Sequence, residues 1–202
     1  MEYKELKDQA CHYVDELKPV IYGIADALHD HPETGMNEVF ASTTLKKILQ
    51  DHGFAIDNPV ADAFPTAFHA VCGNGQFQMG FLAEYDALLE IGHGCGHNLL
   101  GTGALAGALA LKDYLEETGK PGTVVYFGTP AEENLSGKAF MARDGAFDGV
   151  DFFLTWHPAP ESRTATPHLI ANVCRTYKFK GSTSHAGGAP ELGRSALDSC
   201  EI

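Results

Sequence analysis

The chain has 202 residues, with 14 Lys and Arg against 27 Asp and Glu for a formal charge of −13, and is 44% hydrophobic and 20% charged. That apolar fraction can offset the entropy of ordering a chain, so disorder is excluded, and so are collagen and coiled-coil compositions. The acidity, with no run of Lys or Arg, argues against a nucleic-acid surface, and metal cations are more natural partners. No apolar run reaches the roughly 18 residues of a membrane span, no apolar leader opens the chain, and Cys11, Cys72, Cys95, Cys174 and Cys200 have no framework spacing. A reducing, cytoplasmic setting without a membrane is expected.

From Tyr3 to about His29, Leu6, Ala10, Val14, Leu17, Ile21 and Ile24 recur at helical spacing, with Pro19 as a kink candidate. His31-Pro32-Glu33-Thr34-Gly35 interrupts the pattern, and Val39 to His52 resumes it until Gly53. Thr66 to Cys72 and Phe77 to Ala83 are β-type runs joined by Gly73-Asn74-Gly75, which predicts a hairpin. After a Gly- and His-rich loop, Leu99 to Thr118 reads as a small-faced helix closed by Gly119 and Pro121. Thr123 to Thr129 and Val150 to Trp156 are continuous apolar strands of the kind parallel sheets bury, with a helical stretch Lys138 to Asp144 between them, which predicts a β-α-β unit. Alternation from Asn172 to Lys180 predicts a half-exposed antiparallel strand, and a domain boundary falls near Pro167. Arg194 to Ile202 begins a helix with too little behind it to form a core, so the chain is expected to be cut short.

Polar residues collect at the ends of the predicted strands: Asp86, then His93, Cys95 and His97, then Glu132 and Glu133, then His157. Open α/β sheets bind ligands in the crevice beyond the carboxyl ends of their parallel strands. Thiolate, imidazole and carboxylate together suit zinc and accept manganese, cobalt or nickel. Taken singly, each has a plain reading: an inert loop Cys, a surface His, a solvated helix N-terminus at Glu132-Glu133. Their shared placement is what favours a site. Gly137-Lys138 lacks the earlier Gly of a phosphate loop, no G-x-G-x-x-G or H-E-x-x-H occurs, and Cys95 with His97 has poor geometry for a nucleophile and its base.

The blocks Ala83-Glu84-Tyr85-Asp86-Ala87-Leu88, Gly92-His93-Gly94-Cys95-Gly96-His97-Asn98, Gly128-Thr129-Pro130-Ala131-Glu132-Glu133, His157-Pro158 and Ser184-His185-Ala186, preceded by His31-Pro32-Glu33, resemble the M20 metallopeptidase family. Within it they are most similar to the amidohydrolase branch of aminobenzoyl-glutamate hydrolase and aminoacylase-like enzymes. The resemblance implies a three-layer αβα catalytic domain of the zinc-exopeptidase kind over residues 1–167. Residues 168–202 would begin a small α+β lid and dimerisation domain. It implies two divalent ions, zinc or manganese, held by Cys95, His97, Glu133 and His157. Glu132 would be the general base for a metal-activated water, Asp86 would orient His97, and His185 would serve a developing oxyanion or substrate carboxylate. The implied substrate is the amide C–N bond of an N-acyl amino acid, an aminobenzoyl-glutamate-like compound or a dipeptide, and the implied assembly a homodimer. Relatives are about twice as long and place a final ligand His downstream, so the competing class is an inactive truncated chain serving as a binding module. Leu89 stands where relatives commonly have Pro, and Asn134-Leu135-Ser136 where many have Gly.

Overall fold

A computed structural model describes residues 3–60, 62–164, 170, 171, 173 and 175–202, which divide into two compact units, Met1–Pro160 and Glu161–Ile202. The first unit opens with helices α1 (Tyr3–Asp30), continuous through Pro19, and α2 (Val39–Asp51). Strands β1 (Ala55–Asp57), β2 (Phe68–Gly73) and β3 (Gln78–Ala83) follow, then helix α3 (His97–Thr118) and strand β4 (Thr123–Gly128). Two short helices, α4 (Glu132–Leu135) and α5 (Gly137–Arg143), precede strand β5 (Phe152–Leu154).

The five strands form one mixed sheet in the order β1-β2-β4-β3-β5. The predicted hairpin is therefore overturned. Strand β4 lies between β2 and β3, antiparallel to the first and parallel to the second, because α3 carries the chain from β3 back to lay β4 beside it. The Gly-rich connection closes on β4 instead of on itself: Gly75 donates to the Gly122 carbonyl, and Thr123 donates through its amide to Phe77 and through its hydroxyl to Gly75. The predicted β-α-β pair, β4 and β5, is parallel in direction, but β3 separates the two strands. Strand β5 is also shorter and more exposed than its apolar run predicts, because it sits at the edge of the sheet.

Alternation of side chains along the strands builds three layers. Tyr126 faces α3, where its hydroxyl donates to the Gly101 carbonyl, while Phe127 turns to the opposite face and meets Phe147 at a ring separation of 5.2 Å. Leu28, Leu45, Leu49, Leu105 and Leu109 from α1, α2 and α3 are completely buried against the first face. Each contributes roughly 1.5–3 kcal/mol relative to an exposed side chain. A smaller cluster on the other side joins Met141 of α5 to Phe64, Ala67 and Ala146. This packing outweighs local backbone costs near the sheet edge. Ala131 (φ 59) and Ser136 (φ 53) are left-handed non-glycine residues, a conformation costing roughly 1–2 kcal/mol each.

The second unit contains an antiparallel bridge between Ser182 and Arg194, a 3₁₀ turn at Pro190–Leu192 and helix α6 (Ala196–Glu201), whose N-cap Ser195 accepts the Asp198 amide. The strand predicted over Asn172–Lys180 is not formed at its described residues. Val173 and Tyr177 are exposed, and alternation stabilises a strand only against a partner. Pro167, Asn172 and Cys174 lie outside the described residues. Among the described residues no helix is long and apolar enough to cross a membrane.

Candidate metal centre

Strands β3, β4 and β5 run parallel, so Ala83, Gly128 and Leu154 end at one edge of the sheet, and the segment after each carries polar side chains toward it. His97 is the centre of the cluster. It opens α3 directly after Gly96, whose φ of 77° lies in the left-handed region that glycine enters without steric cost. A side chain on Gly96 would also strike the Pro158 ring, which packs there and fixes the backbone next to His157. The Trp156 indole ties the same segment to α3 by donating to the Leu100 carbonyl at 3.3 Å.

His97 is 1% exposed, and its Nδ1 lies 3.0 Å from both the backbone carbonyl and the Oδ1 of Asp86. Both neighbours can only accept, which assigns the proton of the neutral ring to Nδ1 and leaves a lone pair on Nε2. That lone pair faces two carboxylate oxygens, Glu84 Oε2 at 3.1 Å and Glu133 Oε1 at 3.9 Å. All three atoms are buried and have no hydrogen-bond partner among the described residues. Three electron-pair donors this close repel one another unless a proton or a metal cation stands among them, and the imidazole and carboxylate donors fit a divalent ion. Two donor groups overlap at His97, one with Glu84 and His157 and the other with Glu132 and Glu133, each with ligand atoms within 4.8 Å of one another.

The His157 ring stands edge-on to His97 at 5.6 Å, and its Nδ1 donates to the Pro158 carbonyl, which leaves Nε2 as the acceptor of the neutral ring. Asp86 is 1% exposed and bridges two elements, since its Oδ2 accepts the Glu133 amide at 3.0 Å. Cys95 lies outside both donor groups and beside Glu133, whose carboxylate, as hydrogen-bond partner, combines with burial to push the thiol up to about 11. Burial and the Glu84 carboxylate raise Glu132, against the opposing pull of Lys138. Burial on its own would lower His97, but Asp86, Glu84 and Glu133 together raise it. His185 belongs to the second unit, where its Nδ1 accepts amides from Gly187 at 3.1 Å and Gly188 at 2.9 Å.

Sequence reasoning assigned no role to Glu84 or Lys138. The Lys138 ammonium pairs with Glu84 Oε1 and so balances part of the charge of Glu84, Asp86, Glu132 and Glu133. Glu84 was open to detection, because it stands two residues before Asp86 at the end of the same strand. Lys138 gave no signal, since a lysine at the start of a helix reads as a solvated charge.

The buried histidine and the carboxylates thus converge beyond the ends of parallel strands, the place where open α/β sheets bind ligands. The profile of Peptidase family M20/M25/M40 matches residues 82–189, more than half of the chain, and the chain belongs to that family. It is 44% identical over 196 residues to one of the subunits of the p-aminobenzoyl-glutamate hydrolase of Escherichia coli (strain K12), covering 89% of this chain and 40% of that protein. It is 34% identical over 212 residues to the Xaa-Arg dipeptidase of Mus musculus, covering 100% and 49%. In fold it resembles the YXEP protein of Bacillus subtilis, described as a dinuclear metal binding peptidase from the M20 family. The TM-score there is 0.62 at 21% identity, over 73% of this chain and 44% of that one. The chain thus spans about half the length of the curated relatives it matches.

Proposed function

We propose that this chain supplies the metal centre and general base of a metal-dependent amidohydrolase. Its substrate would be the amide C–N bond of an N-acyl amino acid, an aminobenzoyl-glutamate-like compound or a dipeptide. The observation that carries the reading is the convergence of unpartnered Glu84 Oε2, His97 Nε2 and Glu133 Oε1 at the end of the parallel strands. Cys95, His97, Glu133 and His157 are the residues that would hold two divalent ions, zinc or manganese. When bound, such ions supply Lewis acidity toward the amide carbonyl and toward water.

Glu132 takes the proton from the attacking water and delivers it to the leaving nitrogen, so one carboxylate serves as base and then acid. Its raised affinity for a proton makes it a stronger base toward water than an ordinary carboxylate. Asp86 keeps a proton on the His97 Nδ1, so in the neutral ring it is Nε2 that is presented as the electron-pair donor. His185 contributes a hydrogen-bond donor: with Nδ1 accepting two amides, its neutral ring carries the proton on Nε2. That proton would meet negative charge on the substrate.

The test is hydrolysis of p-aminobenzoyl-glutamate, N-acyl amino acids and dipeptides by the protein carrying this chain, with zinc or manganese supplied and then chelated. Turnover that disappears with the ion and returns with it supports the reading. A protein that binds neither metal at micromolar concentration, or hydrolyses equally well without one, overturns it. A homodimer is the assembly we expect in a mass measurement. The Escherichia coli relative is named as one of the subunits of its hydrolase, which makes association with a second kind of chain the alternative outcome.

A further inference from the structure

We propose that Glu38, which lies outside the candidate ligand set, is the positioning residue that fixes the turn displaying Glu132 and Glu133. The inference rests on the metal-centre reading above. Glu38 occupies the N-cap position of α2 yet makes no capping bond. Glu33 caps that helix instead, its two carboxylate oxygens accepting the amides of Phe40 at 2.9 Å and Ala41 at 3.0 Å. The Glu38 side chain is thereby released into the interior, where it is completely buried. Its Oε2 accepts the Thr66 hydroxyl at 2.8 Å and its Oε1 accepts the Ala131 amide at 2.8 Å.

Ala131 is the residue immediately before Glu132, is itself fully buried, and holds left-handed dihedrals of φ 59° and ψ 40°. An alanine stays in that region only where its surroundings over-determine it. Glu38 is one such constraint and the neighbouring loop supplies two more. Asn134 donates its side-chain amide to the Gly35 carbonyl at 3.2 Å, and Gly35 packs so closely that a Cβ there would come within 2.8 Å of the Ala131 Cα. The connection between α1 and α2 therefore clamps the turn after β4 from one side, while Asp86 holds the Glu133 amide from the other. Losing the Glu38 bond removes one of the constraints that hold Ala131 left-handed, which should loosen the turn and shift both carboxylates relative to His97.

The experiment compares the parent with Glu38→Asp, Glu38→Gln and Thr66→Val, reading the dissociation constant of manganese or zinc by calorimetry and amide hydrogen exchange over residues 129–137. Glu38→Asp keeps the charge but withdraws it by one methylene, so ion affinity should fall about 10- to 100-fold, the range typical of groups that hold a ligand in place. Exchange over the turn should rise. Glu38→Gln should stay within about threefold of the parent, because its carbonyl still accepts the Ala131 amide and its amino group can donate to Thr66. Thr66→Val should lower thermal stability without weakening ion binding, separating a positioning loss from a stability loss. A folded Glu38→Asp variant with parental ion affinity and parental exchange overturns the proposal. A parent that binds no ion overturns the metal-centre reading instead, and the exchange arm still decides whether Glu38 holds the turn. Should Glu38→Asp not fold, the parent is decisive: no helix or strand bond covers the Ala131 amide, so slow exchange there supports the clamp and free exchange refutes it.

Discussion

Asp86 Oδ1 and His97 Nδ1 stand 3.0 Å apart in a site where both side chains are almost fully buried. The carboxylate fixes the tautomer and turns the opposite nitrogen toward Glu84 and Glu133. Replacing Asp86 by Ala also frees the Glu133 amide, so two of the proposed ion-facing residues lose an anchor at once. Zinc or manganese affinity should fall about 10- to 100-fold, measured by calorimetry. Parental affinity in a folded Asp86→Ala protein would show that the His97 orientation is set elsewhere.

Glu132→Gln removes the proposed base while keeping its volume. Ion binding should survive, because His97, Glu133 and Glu84 are untouched, whereas kcat should drop about 10²- to 10⁴-fold. Steady-state kinetics beside an elemental analysis of the purified variant separates the two effects. Near-normal turnover with full ion content would remove Glu132 from the mechanism.

Cys95 can be tested in two states. With Glu133 and burial holding its thiol up to about 11, little thiolate exists at pH 8 in the ion-free protein. Alkylation by iodoacetamide, followed by peptide mass mapping, should therefore label the exposed Cys11 and Cys200 well before Cys95. The proposed ligand role of Cys95 predicts that Cys95→Ala lowers bound metal. An unchanged metal content in that variant would make Cys95 a bystander beside Glu133.

Burial raises Glu38, and the Asp86 charge adds to the effect, while the bonds from Thr66 and Ala131 oppose it without cancelling it. The folded state thus holds this proton to higher pH than the unfolded chain does. Stability from the protonated side chain is complete below the ordinary carboxylate value and is lost as pH rises through the raised folded value. Glu38→Gln is neutral throughout, so its melting temperature relative to the parent should increase between pH 4 and pH 7 by scanning calorimetry. A difference that stays flat, or narrows toward pH 7, contradicts the assignment.

Helical periodicity placed α1, α2 and α3 to within a few residues, because each carries its apolar pattern in its own residues, although α1 buries only the C-terminal half of its stripe, at Ile21, Ile24, Ala25 and Leu28. The candidate residues Asp86, Glu132, Glu133 and His157 were visible for a related reason: each follows an apolar strand, and parallel strands end at a common edge, whereas His97 was visible within the Gly- and His-rich loop that precedes α3. The placement of β4 between β2 and β3 was not visible, since the turn glycines at Gly73 and Gly75 are equally compatible with a hairpin and with a loop closing on Gly122. Nor did alternation over residues 172–180 reveal whether a partner strand exists. Glu38 shows the limit most clearly. In the sequence it is an acidic residue before a helix, where a cap would be expected, and only tertiary packing shows that Glu33 has taken the cap. Local order follows from contacts among near neighbours, so the chain records it directly. Glu38 meets Ala131 across ninety-three positions, and a contact between residues that distant leaves no local pattern for either of them to carry.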